Sequence, residues 1–544
     1  MRATWLLPFV LVVIVGSGGV GAGDDGQDFE AGFASITEKD LLAHATNIAS
    51  PELEGRDSPS EGLTRAGDYI ISRLKAAGVA PGAANESYRM TYTLKRHAPV
   101  PEDCRLSMQV AGGDETVFVL EEDFVPLPSC PGQGEGKLVF FGFGITDSGE
   151  RYDDLKGKNC DDQIAMVLES EPRHKKLFEG PELTPAADAY TKVKALEERG
   201  ARGVLIVRRS PAVPTPLAPQ KVLTGKPVGA KKEDAPPTLP PPTLGYRYTW
   251  AQWNPAHVAR QANDEISAHI PVLEISEHAA SLLLGEDVAE LAKKMDSSGK
   301  PLRKEREDVT VTVRAGLAAQ QVPIDNIVGI VRGSDPTLAQ EYLVCSAHYD
   351  HIGVDAWGRI GCGADDNGSG SSGLIELAEA MALAKPKRSV IFAWMSAEED
   401  GLDGSAEFCE RPPVPVGSIV CDLNVDMIGR CAEDEVLVIG LQANPGLEDY
   451  IKEAKKLKAT QLKKVITDQG QDLWERSDHY NFHKQGIPAL FFTEGSIEAD
   501  NPDYHVFTDT VDKLSMTKMA RISRFMFNVA WLVANAPERP PRPR

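Results

Sequence analysis

Three largely apolar runs in the C-terminal half of the chain, Glu341 to Cys345, Ser389 to Met395 and Ser418 to Val425, lead into ionisable residues rather than ordinary turn residues. His348 and Asp350 follow the first run, Glu398 and Glu399 the second, and Asp426 closes the third. Such predominantly apolar runs are the pattern of buried strands, and the helical spacing from Leu374 to Leu383 supplies a covering helix. The pattern predicts an α/β fold, a mixed β-sheet sandwiched by helices. In open sheets of this class the strand ends line the crevice where ligands bind, so the charged residues at those ends are expected to meet.

The residue types at those ends belong to metal chemistry. SAHYDHIG spans 346 to 353, GADDNGSG 363 to 370, SAEEDGLDGS 396 to 405 and NVDMIG 424 to 429, with DYH at 503 to 505. Together they hold two well-placed histidines, a spare glutamate and further carboxylates, as a pair of zinc ions sharing one bridging carboxylate would require. Asp350, two residues after His348, could accept the far ring proton and fix the tautomer. Asp366 falls in a glycine-rich loop before a helix, where Asp365 and Asn367 could equally act as caps. Glu398 and Glu399 leave a strand on opposite sides, so one can reach a metal while the other faces a water; a solvated acidic pair is the rival. Asp426, at a buried strand end, needs a counter-charge, for which a salt bridge or a helix cap competes with a metal. His505 follows the strand-like Leu490 to Phe492 by a loop, and alone it reads as a surface imidazole.

The formal charge of −22, from 80 acidic and 58 basic side chains, argues against nucleic acid as a partner, because phosphate binding needs a basic face. Arg2, an apolar run from Trp5 to Val15 and small residues up to Ala22 form a signal-peptide pattern, predicting a secreted or periplasmic protein. That run is too short to span a bilayer, and no later stretch of about twenty apolar residues follows, so no membrane anchor is expected. The eight cysteines contain no CxxC pair. Cys104 with Cys130, and Cys409 with Cys421 or Cys431, are candidate bridges, whereas Cys345 reads as a buried small residue.

Thr37 with Asp40 opens a helix carrying Leu41, Ala45 and Ile48 on one face, and a second helix is expected from Glu61 to Ala77 with Gly78 as its stop. ASPELEGR, at 49 to 56, reads as a polar loop between them. From roughly 130 to 290 short apolar runs, KLVFFGFG, QIAMVLE, GVLIVRR and HIPVLEI, predict a smaller β-rich unit, with a helix from Ala186 to Gly200 and an irregular proline-rich excursion from Pro211 to Pro242. The expected division is a signal peptide at 1–22, an N-terminal part of the main domain at 23–125, an inserted β-rich domain at 126–295, the main domain at 296–535 and a disordered tail at 536–544.

Over about 320 to 535 these motifs resemble the zinc aminopeptidase family that also includes glutamate carboxypeptidase, the transferrin receptor and glutaminyl cyclase. By that resemblance His348 and Asp426 would hold one zinc, Glu399 and His505 the other, and Asp366 would bridge them. Glu398 would be the general base and Asp350 the support of His348. The stretch Arg199 to Ile206 is similar to part of the protease-associated domain, with an unrelated β-rich insertion as the alternative, and the GRD-containing loop is similar to secreted bacterial members. SDHYNF at 477 to 482 resembles a segment near the family's substrate pocket and receives no role. The resemblance implies a peptide substrate cut at its free N-terminus, with two zinc ions per chain. A carboxypeptidase would need a cationic pocket, glutaminyl cyclase would use a single zinc, and a receptor-like relative would have lost ligands. Side-chain preference and oligomeric state stay open.

Overall fold

The computed structural model describes residues 24–120, 122–127, 130–174, 176–178, 184–209, 268–354, 359–494, 501 and 503–543. Helices α1 (Asp24–Ser35), α2 (Glu38–Ile48) and α3 (Glu61–Ala76) open the described chain. Thr37 caps α2 by accepting from the Asp40 amide, and Ser60 caps α3 by accepting from that of Leu63. Leu41, Ala45 and Ile48 of α2 and Leu63, Ile70 and Leu74 of α3 are buried, as their spacing predicts.

The segment between them corrects the expectation of a polar loop. Pro51–Arg56 is a tight 3-10 turn, and the Arg56 side chain is fully buried. Burial is tolerated because backbone carbonyls at the end of α2 and in two distant loops accept the guanidinium protons.

The main sheet comprises β1 (Ala80–Pro81), β2 (Arg89–Pro99), β3 (Leu317–Val331), β4 (Tyr342–His348), β5 (Ser389–Met395), β6 (Ile419–Val425), β7 (Glu435–Ile439), β8 (Lys464–Ile466) and β9 (Ala489–Thr493). Its order is β1-β3-β5-β4-β6-β9-β7-β8, with β2 paired along β3. Strands β5, β4, β6 and β9 run parallel, while β3 and β7 are antiparallel to β5 and β9. The sheet is mixed, as expected. Side chains alternate between two cores: Leu343, Cys345 and Ala347 of β4 face the layer of α1, α2, α4 (Gly370–Ala384) and α6 (Met516–Asn535). Tyr342 and Val344 face the other layer, with Phe408 and, on α5 (His479–Lys484), Phe482. His348 pairs with Met395 and Ser346 with Asn424, so β4, β5 and β6 end at one level.

The smaller sheet has eight strands, in the order 115–117, 105–110, 304–315, 132–140, 163–168, 203–207, 272–275, 124–126. It therefore draws on both sides of the expected 126–295 unit. Lys304–Ala315 pairs with both Arg105–Val110 and Gly132–Phe140, and such long-range pairing leaves no local trace in the sequence. The antiparallel pair β2 and β3 carries the chain in and out of this unit. The proline-rich excursion at 211–242 and the signal-like segment at 1–22 lie outside the described residues.

Two further expectations are corrected. The tail is ordered against the main domain through residue 543, where Arg539 pairs with Glu341 at 2.6 Å and Arg542 donates to the Gly486 carbonyl at 2.9 Å. None of the candidate disulfides forms, since no cysteine is bonded to another. Among the described residues no helix is long and apolar enough to cross a membrane.

Candidate active site

Beyond the level ends of β4, β5 and β6 the chain turns sharply. Ala397, Met427 and His505 have φ of 52°, 53° and 53°, a left-handed backbone that side-chain-bearing residues avoid and that clusters at functional sites. Each either precedes, follows or is one of the ionisable residues singled out from the sequence. The loop at the start of α4 is tied to β6 by Asn367, whose Oδ1 accepts from the amides of Gly370 and Met427 and whose Nδ2 donates to the Val425 carbonyl. Asp366 is thereby held against the end of the sheet.

All seven site residues expected from the sequence, His348, Asp350, Asp366, Glu398, Glu399, Asp426 and His505, are buried and converge there. His348 Nε2 lies 3.2 Å from Asp426 Oδ1 and 3.3 Å from Asp366 Oδ1. His505 Nε2 lies 3.0 Å from both Asp366 Oδ2 and Glu399 Oε2. The two oxygens of Asp366 thus serve two different imidazoles. Asp350 stands on the far side of His348, its Oδ1 3.5 Å from Nδ1, and accepts from the amides of Glu398 and Glu399 at 3.3 and 3.4 Å. The adjacent glutamates part company: Glu398 groups with His348 and Asp426, and Glu399 with His348 and Asp366, each set offering ligand atoms within 4.8 Å of one another.

The electrostatics follow from crowding acids around imidazoles in a buried place. Burial works against charge on His505, yet Glu399 and Asp366 outweigh it and bring its pKa up to about 10. Burial and Asp366 raise Glu399, but His505 and His351 dominate and take it down to about 2. Burial likewise opposes charge on Asp366, and its imidazole partners hold it well below the usual carboxylate range. Glu398 is pushed well above its ordinary value by burial, reinforced by Glu399 and Asp426. A site whose carboxylates demand positive charge at their centre is one in which metal ions can replace protons.

The residues present fit such ions. The donors are imidazole nitrogens and carboxylate oxygens, the set that suits zinc. His505 Nε2, though 3.0 Å from two carboxylate oxygens, makes no directed hydrogen bond, as expected of a lone pair aimed at a shared cation. A carboxylate that could serve as a ligand is itself supported: Ser477 donates to Asp426 Oδ2 at 2.9 Å and accepts from Asn424 Nδ2 at 2.8 Å.

Several participants escaped the sequence reading. His351 Nδ1 is 2.8 Å from Glu399 Oε1, and its place in SAHYDHIG, three residues after His348, was the available signal. Ser477 opens the SDHYNF segment left without a role. Asp509 accepts from the amides of Asp365 and Asp366 and is raised to about 7 by burial; nothing local distinguishes it from a surface acid. Met427, Phe491, Tyr504 and Arg476 join the carboxylates in lining the pocket, and the Tyr504 ring stacks on His505 with centroids 3.9 Å apart.

Residues 326–530 match the family described as Peptidase family M28, which bears out over that span the resemblance drawn from the motifs. A protein of Arthroderma benhamiae named "Probable leucine aminopeptidase" is 29% identical over 227 residues, 41% of this chain and 62% of that protein. "Leucine aminopeptidase 1" of Coccidioides posadasii is 30% identical over 215 residues, 37% of this chain and 54% of that one. The aligned region thus spans between half and two thirds of these curated relatives' length. Among solved structures, the aminopeptidase from Aneurinibacillus sp. strain AM-1 has a TM-score of 0.52 at 18% identity, covering 95% of this chain and 97% of that one. A zinc aminopeptidase from Bacillus subtilis has a TM-score of 0.55 at 17% identity, covering 93% and 97%. These likenesses show the fold, an α/β fold of the aminopeptidase type.

Proposed function

We propose that this chain, whose 326–530 span belongs with Peptidase family M28, is an exported metallopeptidase that uses two zinc ions to remove N-terminal residues from peptides. The observation that carries the reading is the division of Asp366, with Oδ1 toward His348 and Oδ2 toward His505. It suits two adjacent ions sharing one carboxylate, His348 and Asp426 holding one, Glu399 and His505 the other. When bound, the zinc pair supplies Lewis acidity that polarises the scissile carbonyl and acidifies water.

The chain's own groups do the rest. Glu398 takes a proton from the attacking water and returns it to the leaving amine as the C–N bond breaks and the new C–O bond forms. Asp350 keeps His348 in one tautomer and orientation. The acidic wall of the pocket attracts a free ammonium, and Met427, Phe491 and Tyr504 offer an apolar surface to the substrate's first side chain. The names of the relatives, leucine aminopeptidases, agree with an apolar preference. Export is supported by Arg2, the apolar run from Trp5 to Val15 and the small residues before Gly23.

Arg476 favours a second reading. It lines the pocket, its Nη2 3.4 Å from the Tyr504 hydroxyl, and supplies the cation that a carboxypeptidase would need for a substrate carboxylate. Assays of the zinc-loaded protein on matched peptides with free and acetylated N-termini, each with a free or amidated C-terminus, separate the two. Cleavage that requires the free N-terminus and ignores the C-terminus is expected. Cleavage that requires only the free C-terminus would replace the aminopeptidase with the carboxypeptidase.

A further inference from the structure

The Pro51–Arg56 turn makes contacts that its surface-like composition does not suggest. Glu54, Gly55 and Arg56 are successive left-handed residues, with φ of 47°, 71° and 53°. A Cβ on Gly55 would fall 2.4 Å from the Gly353 carbonyl oxygen and 2.5 Å from that of Gly361, so the turn is pressed onto the loop that follows His348. The His351 amide donates to the Arg56 carbonyl at 3.2 Å and the Gly353 amide to that of Gly55 at 3.1 Å.

The Arg56 side chain continues inward from this contact. Its Nε donates to the Tyr349 carbonyl at 2.8 Å, its Nη1 to those of Ile48 and Cys362 at 2.6 and 2.7 Å, and its Nη2 to that of Gly363 at 2.9 Å. Tyr349 lies between His348 and Asp350, and Gly363 is three residues before Asp366. One rigid guanidinium therefore spans the two loops that adjoin the His348 imidazole and the shared Asp366 carboxylate. Two residues on, Ser58 Oγ donates to Asp350 Oδ2 at 3.3 Å and accepts from the Ala397 amide at 3.0 Å, reaching the loop of Glu398 and Glu399.

We propose that Gly55–Ser58 is a positioning strut of the metal centre: Arg56 sets the separation of the His348 and Asp366 loops, and Ser58 relates Asp350 to the Glu398–Glu399 turn. The proposal rests on the metallopeptidase reading. Lysine keeps the charge at position 56 but not the planar fork, so it cannot hold carbonyls of both loops at fixed spacing. A small misplacement of ligands or base is costly in rate, on the order of 100-fold for 1 Å.

The test compares Arg56→Lys, Ser58→Ala and Arg388→Lys in the full chain, using zinc transfer to a chromogenic chelator, kcat and KM on a free-N-terminal peptide, and thermal melting. Arg388 is the control, equally buried and bonded to the Val533 carbonyl, but at the opposite end of β5. Arg56→Lys is expected to release zinc at least about 10-fold faster and to lose about 10- to 100-fold in kcat with KM within about twofold. Ser58→Ala is expected to move the same quantities by a smaller factor, and it decides the matter if Arg56→Lys does not fold. Arg388→Lys is expected to melt lower with zinc release unchanged. Wild-type release and kcat in Arg56→Lys, or in Ser58→Ala where it stands alone, would overturn the strut, as would equal acceleration in Arg388→Lys. A wild-type chain that retains zinc but cleaves no peptide would refute only the peptidase reading, because zinc release still measures the strut; one that binds no zinc would refute both.

Discussion

Asp350 stands behind His348, with Oδ1 3.5 Å from Nδ1, while Nε2 of the same ring faces Asp366 and Asp426. In the proposed reading the carboxylate would fix which nitrogen is presented to the centre of the site. Asp350→Ala is expected to lower kcat/KM by roughly 10- to 100-fold, with a matching loss of zinc affinity, because metal-ligating imidazoles depend on such outer partners. Steady-state kinetics alongside competitive zinc titration checks both; an effect on KM alone would assign Asp350 to substrate binding instead.

Glu398 and Glu399, adjacent in sequence, have different neighbours, and their substitutions should differ in kind. Glu398→Gln keeps the shape and removes the base, so turnover is expected to fall by at least about 100-fold with metal content near wild type. Glu399→Gln is expected to lose metal as well. Elemental analysis of both purified variants, paired with activity, separates them, and equal metal loss would make Glu398 a ligand.

Removal of metal should be legible in stability as well as activity. Ions that bind only the folded chain stabilise it by about 2.7 kcal/mol at a free concentration 100 times Kd. Chelator treatment is expected to abolish hydrolysis and lower the melting temperature, and added zinc to restore both. An unchanged melting curve after verified metal removal would place the zinc requirement elsewhere.

The connections packed on the smaller sheet offer a pH dependence independent of the metal centre. Burial raises the Asp154 carboxyl to about 7, while its Oδ2 accepts from the amides of Phe143 and Ile145. With the folded pKa above the ordinary 3.8, the stability from this group is complete below about 3.8 and is lost as pH rises through about 7. Lys192, buried beside it and lowered to about 7, runs the opposite way, losing its contribution as pH falls through that value. Asp154→Asn keeps an acceptor oxygen and cannot ionise, so its melting temperature is expected to gain on wild type progressively between about pH 4 and pH 8. A constant difference across that range would show that Asp154 does not titrate there.

Much of the main sheet and the principal site residues could be read without tertiary information. Val344, Ile391 and Leu423 lie in strands buried on both faces, which favours mostly apolar runs; Asp422, inside the third, is met by the Ser346 hydroxyl, and the site's charges stand at the strand ends where they find partners. That is why His348, Glu398, Glu399 and Asp426 stand out by position as well as type. Lys304–Ala315 was not legible, because its charged N-terminal half resembles an exposed connector and its strand character comes from partners 164 to 209 residues earlier, from Lys304 with Phe140 to Arg314 with Arg105.

By itself, then, the sequence determined the parallel strands at the centre of the sheet and most of the acids and imidazoles at their ends, since burial and strand periodicity act over a few neighbouring residues. Only the tertiary structure decided how those groups are aimed. The division of Asp366 between His348 and His505, the approach of His351 to Glu399 and the reach of Arg56 to Gly363 join residues up to 307 apart in the chain. Hydrogen-bond geometry depends on the distance and angle between side chains and loops brought together by packing, and no local pattern encodes either.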